Sequence, residues 1–271
     1  MTLSLYRSFL FVPADRPDRF LKAQNSGCDA IIIDLEDTVA VTEKAAARTQ
    51  ILNYDKTTPK PYWVRINNDQ ADTFALDLAC LKQTRHLAGV VAPKICDPVV
   101  IGTLKDVLGV PVLAVIESVA GFFNLQNIAK TDGLFGLSFG LLDLGNALGV
   151  SHGSHGANLI FDRIRTELVL YSSLYGLARP IETIFSDFQD EDALAIACGH
   201  AHQMGFGGQL AIHPKQIPII HQHYRPSDAE LSFAEKVLAH FIKTGEYAFA
   251  IDGKMVDLPM IDWAKRQLNQ K

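Results

Sequence analysis

Short apolar runs alternate with longer stretches of mixed polarity along most of the chain. The runs cover residues 8–12, 30–35, 62–66, 89–92, 112–116, 133–139, 181–185 and 209–212. Most are rich in β-branched or aromatic residues and apolar on both faces, the pattern of strands buried on two sides in a parallel sheet. Between them, residues 15–25, 42–52, 72–87, 97–108, 118–131, 161–175 and 190–204 read as helices. Several open at Ser, Thr or Asp and close near Gly27, Gly109, Gly176 or Gly205, which are start and stop signals of helices. Eight strands alternating with helices, with no Pro-, Gly- or Ser-rich linker between halves, predict one α/β domain, a (β/α)8 TIM barrel over residues 1–225. A long helical stretch, 228–243, and a tail, 245–271, exceed what a barrel needs and predict a C-terminal helical extension of the same domain over 226–271. A doubly wound open sheet is the alternative. It is disfavoured because Pro13-Ala14-Asp15-Arg16-Pro17, and no G-x-G-x-x-G, follows the first strand.

Barrel active sites lie at the carboxyl ends of the strands, and there the polar residues gather. The second run ends Asp34-Leu35-Glu36-Asp37, the third Val64-Arg65-Ile66-Asn67, the fourth Pro93-Lys94 and the fifth Ile116-Glu117-Ser118. The sixth passes through Gly140 to Asp143, the seventh carries Glu182, and the eighth ends Ile212-His213-Pro214. Carboxylates directed at one place repel unless a cation sits among them. Oxygen-only donors select a hard cation, and a small protein ligand set with room for water and substrate describes Mg²⁺.

Glu117 and Asp143 come from adjacent strand ends and are the candidate metal ligands; singly, each also reads as a helix cap or an ion-pair partner. Arg65 suits a carboxylate or a developing oxyanion, with an ion pair to Glu36 or Asp34 as the other reading. Backbone N–H groups around Gly140 form a candidate carboxylate cradle. Lys94 at a strand end raises the possibility of Schiff-base chemistry, but acidic neighbours favour a protonated, structural ion pair. His152 and His155 sit in a glycine-rich segment read as a flexible loop rather than a metal site. His200, His202, His221 and His223 fall on helical stretches and are expected to be solvated.

Composition narrows the class. Of the 271 residues, 48% are hydrophobic, enough for a sizeable core, and the formal net charge of −5 argues against nucleic acid as partner. The four cysteines form no C-x-x-C pair and read as small buried apolar residues in a reducing, cytoplasmic setting. Residues 1–7 lack the pattern of a signal peptide, and no apolar run approaches the ~18 residues of a membrane span.

Arg7-Ser8-Phe9-Leu10-Phe11-Val12-Pro13, Asp34-Leu35-Glu36-Asp37-Thr38-Val39, Val64-Arg65-Ile66-Asn67, Ile116-Glu117-Ser118 and Ile212-His213-Pro214 occur in this order. From Arg7 to the C-terminus the chain resembles the citrate lyase β-subunit-like family, within the larger group of aldolases and CoA-ester lyases. The resemblance implies a TIM barrel, commonly trimeric, that uses Mg²⁺. It implies Glu117 and Asp143 as metal ligands, Arg65 as a substrate contact, and Glu36 and Asp37 acting through metal-bound water. It implies Asp257, in Ile251-Asp252-Gly253-Lys254-Met255-Val256-Asp257, as the acid/base, reaching its own or a neighbouring subunit's site. Phe11, Arg19, Lys22, Lys44, Ile212 and His213 match CoA contacts.

Free hydroxy-oxo-acid aldolases of the larger group carry a catalytic His where this chain has Asp37, which favours a thioester substrate. Malyl-, citramalyl- or citryl-thioesters fit, yielding acetyl-CoA and a 2-oxo acid. A citrate lyase β subunit acting on a citryl group carried by an acyl-carrier protein is the close rival, and a catalytically silent barrel acting as a binding module is the distant one.

Overall fold

The computed structural model describes residues 6–268; the expectations placed on the first five and last three residues lie outside the described region. The eight apolar runs form β1 (Ser8–Pro13), β2 (Ala30–Asp34), β3 (Tyr62–Arg65), β4 (Leu87–Ala92), β5 (Val112–Ile116), β6 (Leu134–Phe139), β7 (Ile181–Glu182) and β8 (Gly208–Ala211). All are parallel, in the order β6-β5-β4-β3-β2-β1-β8-β7. A bond from Ala178 N–H to Phe135 O (3.0 Å) helps bring the two ends of the sheet together. The result is a nearly closed (β/α)8 barrel, as the alternation predicts.

The helices are α1 (Phe20–Gln24), α2 (Lys44–Asp55), α3 (Phe74–Leu81), α4 (Pro98–Leu108), α5 (Val119–Phe123), α6 (Leu125–Ala129), α7 (Leu141–Leu148), α8 (His155–Leu174), α9 (Glu191–Met204) and α10 (Gln216–His223). Alternate strand residues Phe9, Ile32, Trp63, Val91, Leu113, Val115 and Leu210 fill the barrel interior. Trp63 lies so close to Gly89 that a Cβ there would come 2.4 Å from its ring. The indole thus uses the one position in β4 where no side chain competes for the space. Phe9 meets the same indole edge-on at 5.4 Å.

Several elements differ from the sequence reading. The stretch 72–87 holds only the short α3: Gln83 and Thr84 N–H close tight turns onto Cys80 O and Leu81 O, and Leu87 already belongs to β4. The single helix read over 118–131 is broken at Asn124, whose side-chain amide leaves the helix to donate to Cys96 O. Helix α8 starts six residues before the reading of 161, since Ser154 caps it through Ala157 N–H. His155 is therefore helical rather than part of a loop. The seventh run keeps strand geometry for two residues only.

The chain divides into two compact units, Met1–His221 and Gln222–Lys271. The second unit contains α11 (Asp228–Thr244), a hairpin of β9 (Phe249–Ile251) and β10 (Lys254–Val256), and α12 (Leu258–Leu268). It has its own core of Ala234, Val237, Val256, Ile261 and Ala264. Ser227 and Glu230 form a capping box at the start of α11. No helix among the described residues is long and apolar enough to cross a membrane.

Candidate active site

The carboxyl ends of β2 to β5 bring Asp34, Glu36, Asp37, Arg65, Lys94 and Glu117 into one charged network. Arg65, last residue of β3, donates from Nε to Asp34 Oδ1 (2.7 Å) and from Nη2 to Asp34 Oδ2 (2.6 Å). The register pairs Asp34 with Arg65 across adjacent strands, so the bidentate contact needs no loop to reach over. Burial alone would raise the Asp34 carboxyl; the Arg65 bonds and charge, with Thr38 and the Glu36 N–H, hold it below the ordinary carboxylate range. The ion pair that the sequence left as one reading of Arg65 is thus formed. Its Nη1 lies 2.9 Å from Glu36 Oε2, off the line of a hydrogen bond, so that this buried oxygen has no hydrogen-bond donor. The guanidinium keeps N–H groups outside the Asp34 pair, and its carbon stands 4.8 Å over the Phe11 ring.

Lys94 ties this network to Glu117. Its N–H donates to Glu117 Oε2 (2.8 Å), while its ammonium meets Glu36 Oε1 (2.6 Å) and Asp37 Oδ2 (3.0 Å). Burial would lower the Lys94 pKa, but Glu36 and Asp37 outweigh it and raise the value. A lysine held protonated is no Schiff-base nucleophile, which leaves the structural ion pair. Glu117 is buried, and its carboxyl is pushed up to about 7, first by burial and next by the charge of Glu36, with Asp143 adding to the rise. Arg65 and the Lys94 N–H oppose that rise. Glu36 is raised as well, chiefly by burial.

Glu117 leans on the start of α7. A Cβ on Gly140 would come 2.6 Å from both Glu117 Cγ and Oε1, so only glycine allows this approach. Gly140 is the cap residue of α7, and Asp143 lies exposed in its first turn. One short segment therefore brings the two candidate metal ligands to the same helix end.

Two oxygen-donor carboxylates, electrostatically coupled, fit a hard divalent cation that keeps waters and takes substrate oxygens. Among the described residues no group of three or more His, Cys, Asp or Glu side chains is arranged to hold an ion alone. That suits a site completed by water and substrate rather than a closed structural one.

The predicted thioester contacts separate into two groups. Phe11, Arg19, Lys22, Ile212 and His213 line one cleft of about 700 Å³, joined by Arg16, which the sequence reading passed over. Buried Gln216 shapes its edge by accepting from both Ile212 N–H (2.9 Å) and His213 N–H (3.2 Å). Phe188 stacks on the His213 ring with centroids 4.5 Å apart.

Lys44 departs from its expected place. It is buried, with its ammonium bonded to Leu35 O, Glu36 O and Asn67 Oδ1 at 2.6–2.8 Å. It secures the loop that carries Glu36 instead of lining the cleft. Glu182 likewise faces the helix layer, where Arg165 of α8 holds both its oxygens. His152 lies exposed against Gly145 of α7, and His221 is bonded to Ser8 Oγ (2.8 Å) rather than freely solvated. Asp257 belongs to the second unit, where its Oδ1 accepts from Met260 N–H (3.4 Å) at the start of α12.

Comparison with known proteins shows the family. The HpcH/HpaI aldolase/citrate lyase family matches residues 7–214. A citrate lyase subunit beta-like protein of Mycobacterium tuberculosis is 33% identical, over 97% of this chain and 94% of its own. A (3S)-malyl-CoA thioesterase of Cereibacter sphaeroides is 29% identical over 97% and 93%, and a mitochondrial citramalyl-CoA lyase of Rattus norvegicus 26% over 96% and 84%. The solved structure of the CitE protein of Mycobacterium tuberculosis, in complex with magnesium, acetoacetate and coenzyme A, superposes with a TM-score of 0.85. It is 32% identical, covering 99% of this chain and 98% of that one.

Proposed function

Because the chain belongs to the HpcH/HpaI aldolase/citrate lyase family, we propose that it is a Mg²⁺-dependent carbon–carbon lyase. Its substrate is a 3-hydroxy-acyl-CoA thioester of the malyl, citramalyl or citryl type, and its products are acetyl-CoA and a 2-oxo acid. The observation that carries this reading is Glu117, buried against Gly140 at the helix end that bears Asp143 and linked through Lys94 to the Glu36–Arg65–Asp34 network. Glu117 and Asp143 would hold the ion. When bound, Mg²⁺ supplies Lewis acidity to the substrate's hydroxyl and carboxylate oxygens.

The protein's groups do the rest. Arg65 offers N–H groups and positive charge where the hydroxyl oxygen becomes an alkoxide. The N–H groups at the start of α7 receive the substrate carboxylate. The hydroxyl proton leaves to solvent, and the bond between the hydroxyl carbon and the thioester's α-carbon breaks. Its electron pair passes to the α-carbon as an enolate, and the hydroxyl carbon becomes the carbonyl of the 2-oxo acid. Asp257 delivers the proton that completes acetyl-CoA, from its own or a neighbouring subunit of a homotrimer. Glu36 and Asp37 orient water at the mouth. The basic side chains Arg16, Arg19 and Lys22 beside Phe11, Ile212 and His213 match the phosphates and adenine of CoA.

A second reading follows from the malyl-CoA thioesterase relative: hydrolysis of the thioester, with water attacking the acyl carbon and the CoA thiolate leaving. An acyl-carrier protein in place of CoA defines a third. One assay separates them. Purified chain with Mg²⁺ and a panel of malyl-, citramalyl- and citryl-CoA should release glyoxylate, pyruvate or oxaloacetate together with acetyl-CoA. Free CoA thiol with intact hydroxy acid would establish the hydrolase instead, and turnover of only the carrier-bound acyl group would establish the subunit.

A further inference from the structure

Lys94 follows β4 with φ at +54°, in the left-handed region that a residue with a Cβ rarely adopts. The bend sends its two polar ends in different directions. The N–H reaches Glu117 Oε2, and the ammonium turns to Glu36 Oε1 and Asp37 Oδ2. Gly140 adds a second constraint, because its bare Cα leaves room for Glu117 Oε1 on the opposite flank. Glu117 is thus held from both sides, with Oε2 occupied and Oε1 left for a ligand. Glu36 also has Oε2 buried without a hydrogen-bond donor. A divalent cation meeting Asp37 and the Oε1 of Glu36 without their lysine would find a richer carboxylate set than Glu117 and Asp143 alone, and would be drawn toward it.

We infer that Lys94 is a positioning residue that withholds Glu36 and Asp37 from the cation and presents Glu117 to it through Oε1. The inference rests on the metal site proposed above. It separates Lys94 from a merely structural lysine by the sign of one effect. Losing a structural residue loosens metal binding and turnover together. Losing this ammonium removes a positive charge beside a divalent cation and releases Asp37 and the Oε1 of Glu36, whose Oε2 stays beside Arg65, so the ion binds more tightly while its position for chemistry is spoiled.

The test is calorimetric titration of Mg²⁺ into wild type, Lys94→Gly, Lys94→Met and Lys94→Arg, without substrate. Glycine keeps the N–H and accepts the positive φ, so it removes the ammonium with the least risk to folding. Lys94→Gly and Lys94→Met should bind Mg²⁺ about tenfold more tightly, and turnover should fall about 100-fold with KM changed far less. Lys94→Arg should restore wild-type affinity within a few-fold. Unchanged or weaker Mg²⁺ binding in folded Lys94→Gly overturns the inference, as does a wild type that binds no Mg²⁺. A wild type that binds Mg²⁺ but cleaves no thioester defeats the lyase reading and still decides the question of Lys94.

Discussion

Asp55 and Glu117 are carboxylates buried at opposite ends of the same barrel. Asp55, at the amino ends of β3 and β4, accepts from Tyr62 Oη (2.8 Å), Arg85 N–H (2.9 Å) and His86 N–H (2.9 Å). Burial would raise its pKa, but the His86, Arg85 and Tyr62 hydrogen bonds hold it below the ordinary value of 3.8. Glu117, at the carboxyl end of β5, accepts from the Lys94 N–H, and its burial and negative neighbours raise its carboxyl to about 7. Nearby Glu36 is raised too and has one oxygen without a donor. A carboxylate satisfied by neutral donors stabilises the fold. Carboxylates crowded together with unused oxygens cost stability and are retained for something that arrives from outside.

The largest expected break in this comparison is Glu117→Gln. Turnover should fall by about 10³-fold or more, the scale for losing a group that acts in the transition state, while the metal-free protein gains stability. The sign follows from the pKa: a carboxyl raised from 4.5 to about 7 destabilises the fold in its charged form. The cost is absent below the unfolded value of 4.5, grows as pH rises toward about 7 and is complete above it. Glu117→Gln should therefore be more stable than wild type by up to about 3 kcal/mol at pH 8 and equal to it near pH 4. Thermal melts at the two pH values check it.

Arg65→Lys should come next, with kcat/KM down by about 10²-fold, because an ammonium keeps the charge but loses the planar two-bond grip on Asp34. Steady-state kinetics beside a denaturant melt will show the loss to exceed any change in stability.

Asp55→Ala sharpens the other side. It leaves three donors unpaired, the Tyr62 hydroxyl among them fully buried, and should cost about 3 kcal/mol of stability, with kcat and Mg²⁺ affinity of the folded protein unchanged. Since the folded pKa of Asp55 is depressed, its contribution is complete above 3.8 and is lost as pH falls through the folded value. The gap between wild type and Asp55→Ala in urea melts should thus narrow below about pH 4. The smallest effect expected is Ser227→Ala, which removes the capping box of α11 and should lower stability by about 1 kcal/mol without touching activity.

The barrel was legible because its strands are short, apolar on both faces and evenly spaced; β5 matches the sequence reading at both ends. Glu117, Asp143 and Arg65 were legible because polar residues at strand ends stand out against apolar runs. Three features were hidden for physical reasons. The positive φ of Lys94 leaves no trace in composition, since glycine or asparagine would be the usual signal there. Lys44 looks like any helix-opening lysine, and only the fold reveals the three oxygens under the β2 loop that draw it inward. The start of α8 was masked by two glycines, while the Ser154 cap that decides it is a single residue.

The claim that the crowded end of the barrel is kept for a cation is tested most directly by titrating Mg²⁺ into metal-free wild type, Glu117→Gln and Asp143→Asn in a calorimeter. The account predicts one Mg²⁺ site in wild type, weakening as pH falls below about 7 because a proton competes for Glu117, and loss of that site in both variants. Undiminished Mg²⁺ binding by either variant, or none by wild type, would contradict it.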